Sequence, residues 1–377
     1  MKEKITISIL LLSMVMGACC ACDADSAPIE ETVPSDTSEE TVPVTSETVQ
    51  STELAPIIVS ETAETEPEED TAAPFFMNIN REVYVTNGGE FDINEYISYI
   101  DDHDSDVDLT VEGTVDMSTT SSYPLTLWIT DDAGNTTSEQ MTVYVVDPVE
   151  PGSSSDYQGE ATTANATPFA DFMNAYPGDN VHYGIDVSHW QGNIDWNQVR
   201  DAGCEFAFIR AGWSSAGEFH IDDYYTANME GASAAGIKIG VYVYTSDNEI
   251  EDVETLADTI CDLVEGYDVD LPIVFDWENF YSNFQKYSLS IDDLNDLYRA
   301  FEDRVEERGL TSTLYASKFV LEIIWDDDIT SVWLAHYTSQ TDYAGSYGIW
   351  QQSCTGSIPG IDAYVDMDLF YGDLPGG

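Results

Sequence analysis

Leu271-Pro272-Ile273-Val274-Phe275-Asp276-Trp277-Glu278-Asn279 is the stretch on which the fold turns. Residues 271–275 read as an apolar strand, and two acids, Asp276 and Glu278, close it. Side chains two apart on a strand share a face, so both carboxylates can point the same way. Outward from this stretch, seven more strand candidates occupy 183–187, 206–210, 238–244, 313–316, 332–336, 347–351 and 364–368. Amphipathic helices fit between many of them. Ser290 is an N-cap with an acid, Asp293, three residues on, Gly309 ends that helix, and Gly236 ends an earlier one. Eight strands alternating with helices in so short a span predict an α/β fold, an abbreviated (β/α) barrel over 181–377.

In such barrels chemistry sits at the C-terminal strand ends, and acids fall there. Asp186 closes the first strand, Asp276 and Glu278 the fourth, and Asp366 and Asp368 the eighth. Carboxylates crowded in a low-dielectric mouth have their proton affinities pushed apart, so that one is kept as an acid and another ionised. Glycoside hydrolysis needs that pair. Spacing alone is weak in a chain with 72 Asp and Glu, where pairs arise by chance.

The chain has 377 residues and a formal charge of −61, with 11 Lys and Arg. Such a balance excludes a nucleic-acid binder, which needs a basic footprint, and excludes polybasic docking on an anionic membrane. At 43% hydrophobic and 12% aromatic, most of the chain is nevertheless expected to fold. Seven of its eight Trp lie beyond residue 180, all but Trp128, which places the large core and the ligand site in the C-terminal half.

The amino terminus reads as an address. Lys2 and Lys4 precede the apolar run Ile5 to Met16, which is shorter than the roughly 20 residues a membrane-spanning helix needs and fits an export signal. Met16-Gly17-Ala18-Cys19 resembles a bacterial lipobox, so residues 1–22 are expected to be a lipoprotein signal with Cys19 lipidated; Cys20 and Cys22 are neighbouring alternatives. Of the six cysteines only Cys204, Cys261 and Cys354 then remain in the folded part, an odd number that favours buried thiols over a disulfide framework. Residues 23–73, rich in Ser, Thr, Glu and Pro, form a disordered tether. About 50 such residues span roughly 40 Å.

Residues 74–148 change character. Val83-Tyr84-Val85, Leu109-Thr110-Val111, Leu125 to Ile129 and Met141 to Val146 are short strand candidates, and Asp132-Ala133-Gly134-Asn135 is a hairpin turn. The expected fold is a small all-β sandwich, and the hairpin resembles that of bacterial surface Ig-like modules. Asp102, Asp104, Asp106 and Asp108 alternate as in a calcium loop, but the run from Asp102 lacks Gly at its sixth position and Glu at its twelfth. A solvated acidic loop is the expectation. Residues 149–180 read as a second linker.

The specific resemblance is carried by ordered motifs: "YGIDVSHWQGNIDWNQVRDAGCEFAFIRAGW" (183–213), "GIKIGVYVYT" (236–245), "LPIVFDWEN" (271–279), "VWLAHY" (332–337), "YGIWQQS" (347–353) and "VDMDLF" (365–370). Together they resemble glycoside hydrolase family 25, the Chalaropsis-type lysozymes or N-acetylmuramidases. That resemblance implies hydrolysis of the β-1,4 bond between N-acetylmuramic acid and N-acetylglucosamine in peptidoglycan. Its catalytic pair matches Asp276 and Glu278, with Glu278 as general acid and Asp276 assisting through the substrate's acetamido group. Asp186 and Asp366 match the other mouth aspartates, while Asp368 is expected to brace the last strand.

Tyr242, Tyr244, Tyr337, Trp350 and Gln351 lie at or near strand ends and are substrate-contact candidates, since sugar faces stack on aromatic rings among a few polar groups. Arg210 ends the second strand and is expected beside a mouth carboxylate, as a further substrate-site residue. His336 and Trp196 read as structural. No HExxH or phosphate loop is present, and the CxxC spacing of Cys19 and Cys22 falls in the expected signal, so no metal or cofactor is expected. The expected partner is a peptidoglycan strand, the expected state a monomer, and the expected place the outer face of the cytoplasmic membrane, reached only through the lipid anchor. The competing readings are a catalytically weak peptidoglycan- or chitin-binding module, and a β-1,4 glycosidase of another substrate class.

Overall fold

A computed structural model describes residues 70–147, 166–278 and 288–374. The expected signal, Cys19 and all but the last residues of the tether lie outside the described residues, as does most of the second linker.

Six strands build the first module: β1 (Phe75–Ile79), β2 (Glu82–Thr86), β3 (Ile97–Ile100), β4 (Asp108–Glu112), β5 (Ser121–Thr130) and β6 (Thr136–Val146). One sheet runs β2-β6-β5-β4 and the other pairs β1 with β3. Alternation decides which face is buried: Leu125, Leu127 and Ile129 of β5 and Met141, Val143 and Val145 of β6 form the core, and their neighbours face out. The β5–β6 hairpin forms at the expected turn. Asp131 Oδ1 accepts from Asn135 N at 2.7 Å, and Gly134 adopts a φ of 89°, which a glycine accommodates without strain. The sequence reading missed β1 and β3, whose short runs lack a clear period.

The barrel begins earlier than expected. Residues read as linker form β7 (Thr167–Pro168) and α1 (Phe169–Ala175), and Phe169 and Phe172 are buried in the main core. Then follow β8 (Val181–Val187), α2 (Trp196–Asp201), β9 (Phe206–Ser215), β10 (Glu218–Ile221), α3 (Tyr225–Ala235), β11 (Lys238–Thr245), α4 (Ile250–Leu263), β12 (Ile273–Trp277), α5 (Ile291–Glu307), β13 (Ser312–Ser317), α6 (Lys318–Leu321), β14 (Val332–Ala335), β15 (Ile349–Ser357) and β16 (Val365–Tyr371).

Eight of these strands close a barrel in the order β8-β9-β11-β12-β13-β14-β15-β16, with β16 returning to β8. All eight correspond to the strands read from the sequence. Pairing is parallel from β8 through β15, but β16 runs antiparallel to both its neighbours. This corrects a simple βα repeat: Asp366 opens its strand instead of closing it, and the reversal brings it to the same end as Asp186.

Apolar residues fill two layers. Phe206, Phe208, Tyr242, Val274 and Trp333 pack inside the barrel, while Ile209, Val243, Phe275 and Leu334 meet the surrounding helices. Helix α5 starts in a capping box: Ser290 Oγ accepts from Asp293 N at 3.1 Å, and Asp293 Oδ2 accepts from Ser290 N at 2.8 Å. Gly236 caps α3 with a φ of 78°. Cys204, Cys261 and Cys354 form no disulfide among the described residues.

Candidate active site

Five carboxyl groups converge at one end of the barrel. Asp186 is the penultimate residue of β8, and Asp276 is the penultimate residue of β12. Glu278 follows β12 directly, on the same face as Asp276. Asp366 and Asp368 enter from β16, where Asp366 pairs in register with Asp186, and Asp368 with Gly184.

Enclosure by the barrel wall raises the proton affinity of every one of them. Asp186 is buried, and desolvation above all pushes it up to about 6; a hydrogen bond from Gln351 works the other way, and the Glu278 charge adds to the rise. Desolvation holds Asp276 well above the carboxylate range, reinforced by the neighbouring Glu278. Desolvation raises Glu278 too, and its hydrogen bond with Asp276 opposes the rise. Asp366 and Asp368 are likewise lifted by desolvation first and by the Asp186 charge next. Two desolvated carboxyls on one strand face resist ionising together, so Asp276 and Glu278 are poised to hold a proton between them. Asp276 Oδ1 is buried and receives no hydrogen bond among the described residues, which leaves an acceptor for a ligand's N–H.

A polar network orients this cluster. Gln351 Nε2 donates to Asp186 Oδ2 at 2.8 Å, and Gln351 Oε1 accepts from Tyr315 and Tyr337, each at 2.8 Å. The two hydroxyls fix which end of the amide faces Asp186. Deeper in, Trp333 Nε1 donates to Asp368 Oδ1 at 2.9 Å, which makes Asp368 a buried brace, as its position suggested.

The remaining candidates separate. Tyr242 lies in the barrel interior, edge-on to Trp333, and Tyr244 pairs in register with Asp276 on β11. Tyr337 is 41% exposed beside the cluster. Trp350 is corrected: it faces outward, is 3% exposed, packs edge-on to Tyr176 and donates Nε1 to the His336 carbonyl at 2.9 Å. On β15 it alternates with Gln351, so only Gln351 faces the mouth. Arg210 holds Asp222 at 2.7 Å, with His189 alongside. Its charge still reaches Asp276 and opposes the rise there.

Sequence reasoning passed over Tyr315, Trp190 and Trp213. Trp190 lies in a single turn (His189–Gln191) just after β8, and Trp213 near the end of β9 stacks on His220 with ring centroids 4.1 Å apart. Both are exposed large aromatics at strand ends, a signal legible in the motif "DVSHW" once the strand end is known.

A family model described as glycosyl hydrolases family 25 matches residues 185–361. Lysozyme M1 of Streptomyces globisporus is 31% identical over 202 residues, which span 50% of this chain and 67% of that protein. The chain belongs to glycosyl hydrolase family 25. It is a glycoside hydrolase of the lysozyme type. The autolytic lysozyme of Clostridium acetobutylicum is 30% identical over 202 residues, 52% of this chain and 57% of that one. A crystal structure of a bacterial lysozyme from Streptomyces coelicolor aligns over 51% of this chain and 93% of its own, at 28% identity and a TM-score of 0.44. The family 25 match lies wholly within the barrel. Residues 76–145 match a model described as a bacterial surface protein Ig-like domain, which covers the sandwich.

Proposed function

We propose that this family 25 enzyme is a muramidase that hydrolyses the β-1,4 bond between N-acetylmuramic acid and N-acetylglucosamine in peptidoglycan. The observation that carries this reading is the proton-holding pair of Asp276 and Glu278 at the barrel mouth. Glu278, the less enclosed of the two, donates the proton to the leaving glycosidic oxygen. Glu278 is left as the carboxylate, while Asp276, ionised whenever Glu278 holds the pair's proton, aligns the muramic acetamido group, whose N–H meets Oδ1. Asp186, ionised above about pH 6, keeps the local potential negative, which favours the positive charge of an oxocarbenium-like transition state, and Asp366 beside it shapes the mouth. Exposed Trp190, Trp213 and Tyr337 supply flat apolar faces for successive sugars. Because the carboxyl set is intact and its proton affinities are tuned, catalysis is favoured over a purely binding role.

The same reading places the enzyme outside the cytoplasm as a monomer, anchored through lipidated Cys19 and spaced from the membrane by the tether. The decisive experiment is Glu278→Gln in the full chain. Release of reducing muramic ends from purified peptidoglycan should fall at least about 1000-fold with an unchanged far-UV circular dichroism spectrum. Full activity in that variant would overturn the assignment.

A further inference from the structure

A second acidic constellation lies outside the barrel, in the Ig-like module. One carboxylate oxygen from each of Asp70, Asp101, Asp104 and Asp131 lies within 4.8 Å of the other three. These residues come from three separate segments: the start of the described module, the loop after β3, and the residue before the β5–β6 turn.

Half of the set is already committed to shaping backbone. Asp70 Oδ1 accepts from Ala72 N, Asp101 Oδ1 from His103 N and Asp104 N, Asp131 Oδ1 from Asn135 N, and Asp104 Oδ2 from Asp132 N, all at 2.7–3.0 Å. The other oxygens have no such use. Oδ2 of Asp70, of Asp101 and of Asp131 is buried and receives no hydrogen bond among the described residues. Asp101 is 1% exposed and Asp131 6%. Buried anionic oxygens without donors are costly unless a cation satisfies them. Arg81 is the only Lys or Arg between residues 70 and 147, and its guanidinium is on Glu139 at 2.9 Å.

We propose that Asp70, Asp101, Asp104 and Asp131 form a binding site for a calcium-class divalent cation that clamps the three segments together. The ligands are all hard carboxylate oxygens, which select against zinc and copper. Calcium accepts several carboxylate ligands in a flexible geometry, whereas magnesium keeps most of its waters and takes one or two carboxylates, so a set of four carboxylates favours the larger ion. The alternating run 102–108 contributes only Asp104; the other ligands are distant in sequence, so no calcium-loop pattern appears.

The clamp also bears on the barrel. The backbone carbonyls of Asp101 and Asp102 accept from Ile291 N at 3.1 Å and Asp292 N at 3.0 Å, in the first turn of α5. The loop that holds the cation thus supplies acceptors to the orphan donors of the helix that follows the catalytic strand.

The test is a calcium titration of the chelator-stripped full chain by isothermal calorimetry, alongside thermal unfolding. One saturable site with a dissociation constant at or below about 1 mM is expected, with a rise in unfolding temperature on the order of 5 °C at tenfold excess over that constant. Asp101→Asn with Asp131→Asn should abolish both, and Asp106→Asn should leave both intact. Without metal, the double variant should melt above the wild type, because it loses like-charge repulsion. No saturable binding up to about 10 mM would overturn the proposal. So would binding that survives the double substitution, which is the signature of diffuse counterions on an acidic surface. An equal response to magnesium would overturn the assignment to calcium.

Discussion

Asp186 on β8 faces Asp366 on β16 in antiparallel register across the seam that closes the barrel. Two acids paired side by side repel when ionised, and enclosure strengthens the effect. The seam therefore stores electrostatic stress at the mouth, where a proton donor is wanted.

This pair makes stability depend on pH. Asp186 is raised from 3.8 to about 6, so between those values the folded protein keeps a proton that the unfolded chain has released. Folding stability then falls as pH rises through the window, by about 3 kcal/mol for this group, and levels off above it. The other mouth carboxyls contribute with the same sign. Asp186→Asn should flatten this part of the profile, which urea unfolding at pH 4.5 and pH 7 will show. An unchanged slope would count against the raised Asp186.

Gln351 is the hub between Asp186, Tyr315 and Tyr337. Gln351→Leu strands one carboxylate oxygen and two hydroxyls, and should cost about 1–3 kcal/mol. Loss of orientation at the mouth should lower kcat roughly 10- to 100-fold. Tyr337→Phe removes one exposed donor and should cost less than about 1 kcal/mol. Denaturant titration and initial-rate kinetics measure both.

Asp368 and Trp333 offer a test of buried charge. Asp368→Asn keeps an acceptor for the Trp333 N–H and removes a desolvated acid, so stability at neutral pH should hold or improve. Trp333→Phe should lower it by about 1–3 kcal/mol, because Asp368 loses its donor. Calorimetric melts of the two variants should move in opposite directions or differ clearly in size.

The tryptophans should divide by location. Trp350→Ala empties a packed position and should destabilise by about 3–5 kcal/mol. Trp213→Ala, at 38% exposure on the rim, should leave stability within about 1 kcal/mol and raise KM for glycan strands. A reversed pattern would mean that the rim assignment is wrong.

Much of the barrel was legible because each strand carries its own signal. The runs around Ile185, Ile209, Val243, Phe275 and Leu334 are apolar enough to mark strands without tertiary context. Asp276 and Glu278 were legible as a pair because the strand period of two is local. Helix α5 announced both ends through Ser290 and Gly309. The start of the domain was harder to read, since Phe169 and Phe172 sit in a short segment with no lasting period.

By itself, the amino-acid sequence determined the eight strands, the family and the shared face of Asp276 and Glu278, because propensity, period and motif act over a few residues. Tertiary structure alone decided the reversal of β16, which sets Asp366 against Asp186, and the outward turn of Trp350 beside the inward Gln351. It alone drew Asp70, Asp101, Asp104 and Asp131 into one cluster. The reason is physical: strand direction, barrel closure and the meeting of distant loops depend on pairings between segments far apart in the chain, which no local pattern encodes.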